Sequence, residues 1–127
     1  MSTVLVVDDE ANARQALIRV LGREGYETVG VADGREALRA MDASSPDLVL
    51  LDVMMPVLGG LELLEILHED PRWKSLPVVM MTAVCDTHTV NRAQQLGAKA
   101  YLIKATFSIA EMLDEVRRYT MALCPAQ

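Results

Sequence analysis

Apolar residues concentrate in five short blocks along the chain, and the stretches between the blocks mix apolar and polar residues at helical spacing. The blocks are Val4–Val7, Thr28–Val31, Leu48–Leu51, Val78–Met81 and Ala100–Ile103. All but the second are almost continuously hydrophobic, which is typical of strands that are covered on both faces. The pattern therefore predicts the strands of a buried parallel sheet.

The stretches between the blocks predict helices. Polar pairs with the spacing of helix caps stand at two of the expected helix starts, Asp33 with Glu36 and Ser108 with Glu111. Gly97 predicts the end of a helix directly before the last block. Strands that alternate with helices are joined by right-handed crossovers, which place helices on both faces of a parallel sheet. The predicted fold class is therefore α/β and doubly wound.

Length, charge and cysteine content narrow the classes of function. A chain of 127 residues corresponds to one domain, so we expect a single domain over residues 1–127 with the last few residues as a tail. The net charge of −6 argues against direct contact with nucleic acid, because phosphate contacts need clustered Lys and Arg. We expect no membrane contact, since no apolar run has the length of a span. Cys85 and Cys124 form no disulfide framework, which favours a cytoplasmic location.

Polar residues that can take part in binding or catalysis directly follow four of the five blocks. They are Asp8, Asp9 and Glu10 after the first block, Asp52 after the third, Thr82 after the fourth and Lys104 after the fifth. In parallel sheets, ligands bind at the carboxyl ends of the strands, and these ends share one edge of the sheet. We therefore expect these side chains to form one cluster.

The chemistry of this set favours phosphoryl transfer. Carboxylates gathered at one edge repel each other, and a hard divalent cation such as Mg²⁺, which prefers oxygen ligands, relieves that repulsion. Carboxylates are also nucleophiles toward phosphorus. Lys104 suits a phosphoryl oxygen or, without phosphate, Asp52, and Thr82 can donate a hydrogen bond to another oxygen. Phosphoryl transfer needs mainly positioning and charge neutralisation, and this set supplies both.

Ordered motifs in nearly the whole chain resemble the receiver domain of response regulators. The motifs are Val4 to Glu10, Asp47 to Pro56 followed by Gly60, Met80 to Ala83, and Gly97 to Lys104. The resemblance implies a flavodoxin-like sheet of five strands in the order 2-1-3-4-5, flanked by five helices. It also implies a phosphoacceptor signalling module of two-component systems rather than an enzyme, with a sensor histidine kinase or a histidine phosphotransfer protein as the donor.

The resemblance assigns the acceptor and the metal site residue by residue. Asp52 would be the phosphoacceptor. Asp8 and Asp9 would bind Mg²⁺ together with Asp52, and the backbone carbonyl of Met54 would be a further ligand.

The resemblance also implies a phosphate-binding group and a switch. Thr82, Ala83 and Lys104 would bind the phosphoryl group. Tyr101 would turn inward when Thr82 moves toward the phosphate. This movement would change the surface formed by the fourth helix, the fifth strand and the fifth helix, where receivers meet a downstream effector.

The sequence departs from the family pattern near the predicted site. The family usually has a cis-proline after the lysine, where this chain has Ala105. A cis bond to another residue type costs about 3 kcal/mol, so the bond is either trans in a rebuilt loop or an expensive cis bond. The segment 105–108 is one residue longer than the common version. Gly59 replaces a frequent Asp, and Val53 replaces a Trp found in some relatives.

Three other interpretations remain open at the level of sequence. A phosphatase of the haloacid-dehalogenase class also uses an aspartate nucleophile, but it places its acids as Asp-x-Asp after the first strand. A flavodoxin-type flavin binder needs a loop rich in hydroxyls and amides where this chain has Asp8, Asp9 and Glu10. The third alternative is a receiver-like binding module that works without phosphate, and it depends on the departure at Ala105.

Overall fold

The protein folds around one parallel sheet, seen in a computed structural model that describes residues 2–83 and 86–121. The strands are β1 (Thr3–Val7), β2 (Glu27–Val31), β3 (Leu48–Asp52), β4 (Val78–Thr82) and β5 (Ala100–Ile103). Every pair of neighbouring strands is parallel, and the order across the sheet is β2-β1-β3-β4-β5. The predicted fold class and strand order are confirmed.

Helices cover both faces of the sheet. They are α1 (Ala11–Arg23), α2 (Gly34–Ser44), α3 (Gly60–Glu69), α4 (Thr87–Gln95) and α5 (Ile109–Met121). The buried residues of α1 and α5 share one hydrophobic cluster, and those of α2, α3 and α4 share the other. Within the described ranges, no helix is long and apolar enough to cross a membrane.

The continuous apolar runs are explained by burial of the central strands on both faces. Alternate residues of a strand point to opposite faces. Leu5 and Val7 of β1 therefore join the cluster under α2, α3 and α4, whereas Val4 and Val6 join the cluster under α1 and α5. All four side chains are fully buried. Each contributes roughly 1.5–3 kcal/mol through removal from water, so both clusters stabilise the sheet.

The second strand is the exception because it lies at an edge of the sheet. β2 pairs only with β1, and its residues are exposed or half-buried. Gly30 interrupts its apolar pattern and is itself exposed. An edge strand that is only partly covered needs fewer apolar side chains, which is why its signal in the sequence is weaker.

The predicted capping residues begin and end the helices as expected. The Asp33 carboxylate accepts a hydrogen bond from the backbone N–H of Glu36 at 2.9 Å. Ser108 and Glu111 exchange two reciprocal hydrogen bonds, at 3.1 and 3.2 Å, and so form a complete capping box. Gly97 follows α4 with a φ of 90°, the left-handed conformation that favours glycine.

Two loops at the carboxyl edge of the sheet have unusual features. The bond between Lys104 and Ala105 is trans. Of the two predicted alternatives, a trans bond in a rebuilt loop is therefore correct and a cis bond is wrong. In the loop after β3, Val57 has a φ of 69°, which β-branched residues rarely adopt.

Two predictions lie outside the described residues. They are the absence of a disulfide between Cys85 and Cys124, and the C-terminal tail.

Candidate functional site

Three carboxylates meet at the carboxyl edge of the sheet. Asp8 directly follows β1, and Asp52 is the last residue of β3, the neighbouring strand. One carboxylate oxygen from each of Asp8, Asp9 and Asp52 lies within 4.8 Å of the other two. Asp8 is fully buried and Asp52 is 3% exposed, whereas Asp9 is open to solvent. The predicted clustering of these acids is confirmed.

Local backbone hydrogen bonds fix the two buried acids. Asp8 Oδ1 accepts from the N–H of Glu10 at 2.9 Å, which closes the turn between β1 and α1. Asp52 Oδ1 accepts from the N–H of Met54 at 3.2 Å, in the turn that follows β3. In both residues the Oδ1 atom is therefore engaged with the following turn, and the Oδ2 atom is available to other groups.

Lys104 supplies the positive charge of the cluster. Its Nζ atom donates to Asp8 Oδ2 at 3.0 Å and to Asp52 Oδ2 at 3.3 Å. The prediction that Lys104 binds Asp52 without phosphate is confirmed, but the shorter contact is to Asp8. The lysine is held in place by its backbone N–H, which donates to the carbonyl of Thr82 at 2.7 Å. The longer segment after Lys104 therefore does not displace its side chain from the acids.

Burial and charge shift the proton affinities of this cluster. Burial raises the pKa of Asp52 to about 6; the charge of Lys104 opposes this rise, and the charge of Asp8 adds to it. Burial acts to lower the pKa of Lys104, but the hydrogen bond to Asp8 and the charges of both acids outweigh it, so this pKa is raised. The lysine therefore stays protonated, and Asp52 is the acid whose ionised form is disfavoured by its surroundings.

The donor set fits a hard divalent cation. The three residues offer oxygen atoms only, at a spacing that one ion can bridge, and two of them are already desolvated. Mg²⁺ prefers oxygen ligands and binds through a few carboxylates while it keeps several waters. Asp9 remains exposed, which leaves room for such waters on the outer side of the cluster.

The predicted phosphate-binding residues lie beside the acids. Thr82 is the last residue of β4, next to β3 in the sheet, and is 4% exposed. Ala83 follows it and is exposed. Both line a depression of about 400 Å³ together with Val53 and Met54 of the loop after β3. The lining of the depression therefore includes the two residues that directly follow Asp52 in the sequence.

The predicted switch residue Tyr101 lies one strand further from the acids, on β5. It is half-buried against the cluster under α2, α3 and α4. Its hydroxyl donates to the carbonyl of Val90 in α4 at 3.1 Å, and burial raises its pKa. The side chain thus links β5 to α4 within the predicted output surface. Its inward movement stays a prediction.

Sequence reasoning missed Arg14, which contacts the turn that carries two of the acids. Its Nη1 atom donates to the backbone carbonyl of Asp8 at 2.8 Å. Arg14 stands six positions after Asp8, one helical turn into α1, and that spacing was the available signal. The contact could not be derived from spacing alone, because it depends on how α1 packs on the sheet.

The fold and the site define a class of signalling modules: a doubly wound sheet with an acid cluster, a lysine and a threonine at its carboxyl edge. The protein-family model described as the response regulator receiver domain matches residues 4–117. The chain belongs to this family. Receiver domains are the phosphoacceptors of two-component signalling, and this chain is therefore a signalling module.

Individual relatives agree with this assignment. The DNA-binding response regulator MtrA of Mycolicibacterium paratuberculosis is 40% identical over 114 residues, which are 90% of this chain and 49% of the relative. The transcriptional regulatory protein PdtaR of Mycobacterium tuberculosis is also 40% identical, over 89% of this chain and 54% of the relative. The chain thus spans about half the length of these curated relatives.

A solved structure is similar over almost its whole length. The chemotaxis protein CheY4 of Vibrio cholerae has a TM-score of 0.87 and 32% sequence identity, and the match covers 94% of this chain and 98% of that one. The likeness therefore extends to the fold as a whole.

Proposed function

We propose that Asp52 accepts a phosphoryl group from the phosphohistidine of a sensor histidine kinase or a histidine phosphotransfer protein, in a reaction that depends on Mg²⁺. The observation that carries this proposal is the surroundings of the Asp52 carboxylate. It is buried, lies within 4.8 Å of two further acids and accepts a hydrogen bond from Lys104. A nucleophile, a cation site and a fixed positive charge are thus combined at one point.

The transfer forms a bond between phosphorus and a carboxylate oxygen of Asp52. The bond from phosphorus to the imidazole nitrogen of the donor breaks, and the nitrogen keeps the electron pair. Asp52 must be ionised to attack, and with a pKa of about 6 it is mostly ionised at neutral pH. The surrounding residues therefore supply a nucleophile in the correct protonation state without a separate base.

The other site residues would stabilise the product. Mg²⁺ bound by Asp8, Asp9, Asp52 and the carbonyl of Met54 would neutralise charge on the phosphoryl oxygens. Lys104 would exchange its contact with Asp52 for a phosphoryl oxygen, as the shared position of its ammonium between two acids allows. The hydroxyl of Thr82 and the N–H of Ala83 would donate to the remaining oxygens.

The signal would leave through the surface of α4, β5 and α5. Movement of Thr82 toward the phosphate would draw Tyr101 inward and break its hydrogen bond to the carbonyl of Val90 in α4. An effector domain or protein would bind to the changed surface.

Two of the relatives are named as DNA-binding or transcriptional regulators. For the acidic chain itself, over residues 1–127, we propose a single cytoplasmic domain that makes no direct contact with nucleic acid or membrane.

The test is phosphorylation by a small phosphodonor, followed by intact-protein mass spectrometry. With acetyl phosphate and Mg²⁺, the protein is expected to gain one phosphoryl group, and excess EDTA should prevent this gain. Asp52→Asn should abolish it, because an amide oxygen is a poor nucleophile toward phosphorus. Asp42→Asn removes an exposed carboxylate from α2 and serves as the matched control. A wild-type protein that gains nothing, or an Asp52→Asn variant that gains as much as wild type, would contradict the proposal.

A further inference from the structure

Arg14 ties the start of α1 to the end of β1. Its guanidinium donates to the carbonyl of Asp8 at 2.8 Å, and its own backbone N–H donates to the carbonyl of Glu10 at 3.0 Å. On the other side of the same turn, the N–H of Asp8 donates to the carbonyl of Val31 in β2 at 3.1 Å. The turn that carries Asp8 and Asp9 is therefore held between β2 and α1.

Gly30 of β2 makes room for the arginine. A Cβ atom at Gly30 would lie 3.2 Å from Cδ and 3.3 Å from Cγ of Arg14, and 2.5 Å from the Cδ1 atom of Ile18. Glycine weakens the interior of a strand and often marks the close approach of another group. The arginine stem thus passes over the strand at the one position without a side chain, and its course toward Asp8 is fixed by packing.

We propose that Arg14 is a positioning residue for the Mg²⁺ site, an inference that rests on the proposed function. Asp8 and Asp9 are adjacent in one turn, and their carboxylates must both face Asp52 to share an ion. The hydrogen bond to the Asp8 carbonyl restricts rotation of the peptide unit between these two acids. Among the described residues, the hydrogen bond of the Arg14 side chain is made to a backbone carbonyl and not to a carboxylate, so Arg14 acts through the backbone.

The direction in which Mg²⁺ binding changes when Arg14 is replaced distinguishes a positioning role from a purely electrostatic one. Arg14 is a cation close to a site for another cation, so removal of its charge alone would strengthen Mg²⁺ binding. Loss of positioning would weaken Mg²⁺ binding, because ligands held by outer contacts become mobile when those contacts are removed. The two accounts therefore predict opposite changes in the dissociation constant.

The experiment is titration of Mg²⁺ into the purified variants by isothermal titration calorimetry. Arg14→Met keeps much of the apolar stem and removes the donor, and it is expected to raise the dissociation constant on the order of tenfold. Arg14→Lys keeps both a stem and a donor and should bind Mg²⁺ more tightly than Arg14→Met. Arg19→Met removes the same charge from an exposed position of α1 and should leave the dissociation constant unchanged.

The outcomes distinguish this inference from the proposed function. If wild type binds Mg²⁺ and Arg14→Met binds it equally well or more tightly, the positioning role is wrong and the metal site stands. If wild type itself does not bind Mg²⁺, the proposed function fails. Should Arg14→Met lose its fold by circular dichroism, Arg14→Ala provides a second test, because alanine also removes the donor and is the residue that favours a helix most. Mg²⁺ binding by Arg14→Ala that is as tight as that of wild type, or tighter, would overturn the inference.

Discussion

Replacement of Lys104 by methionine is expected to lower the free energy of unfolding by about 3 kcal/mol near neutral pH in the absence of Mg²⁺. The lysine forms ion pairs with Asp8 and Asp52, whose side chains are 0% and 4% exposed. Methionine fills a similar volume but leaves both buried carboxylates without an opposite charge. Each carboxylate keeps one hydrogen bond, from the backbone N–H of Glu10 or Met54, but it loses its opposite charge, and an uncompensated charge is costly to bury. Urea denaturation followed by circular dichroism measures the loss.

The matched control for this change is Lys99→Met. Lys99 is exposed and directly precedes β5, and its backbone carbonyl accepts a hydrogen bond from Tyr119 that a change of side chain retains. This control should change the free energy of unfolding by less than about 0.5 kcal/mol. If Lys104→Met is no more destabilising than Lys99→Met, the lysine does not neutralise the buried acids in solution.

Asp52→Asn is expected to do the opposite and raise the free energy of unfolding, by about 3 kcal/mol above pH 7 without metal. The ordinary pKa of 3.8 applies to Asp52 in the unfolded chain, and burial raises it to about 6 in the folded protein. Between about pH 4 and pH 6, the Asp52 carboxyl therefore holds a proton more tightly in the folded protein than in the unfolded chain. Wild-type stability therefore falls as the pH rises from about 4 to about 6, and Asn at this position removes that fall.

The pH dependence is the distinctive part of this second result. The advantage of Asp52→Asn should be absent below about pH 4, grow between about pH 4 and pH 6 and stay constant above that range. Denaturation curves for wild type and Asp52→Asn across this range give the difference directly. Asp42→Asn, at an exposed position of α2, is the control for the same change of residue outside the cluster. An Asp52→Asn variant that is less stable than wild type at pH 8 would contradict the assigned repulsion and desolvation.

Most of the fold could be predicted because burial leaves a simple pattern in the sequence. The runs Val4–Val7 and Val78–Met81 are apolar at every position because helices cover both faces of those strands. Capping pairs such as Ser108 with Glu111 act over three residues and can be identified without tertiary structure. β2 gave a weaker signal, since an edge strand that leaves room for Arg14 at Gly30 does not need a continuous apolar run.

Which residues form the site could be predicted better than which of their atoms contact each other. Residues at the ends of parallel strands must meet, so the clustering of Asp8 and Asp52 followed from topology alone. The shorter contact of Lys104 to Asp8, rather than to Asp52, depends on side-chain rotamers and a difference of a few tenths of an ångström. The contact of Arg14 joins a helix to a strand end through packing. Such contacts leave no periodic signal in the sequence.

The most direct test of the central claim is to identify the phosphorylated residue chemically. The protein is phosphorylated with acetyl phosphate and Mg²⁺ and then treated with sodium borohydride, which reduces an aspartyl phosphate to homoserine. Peptide mass spectrometry locates the homoserine. Homoserine is expected at position 52 alone, and none is expected when Mg²⁺ is removed by EDTA before phosphorylation. Homoserine at position 8 or 9, or its absence from a protein that gained a phosphoryl group, would contradict the account.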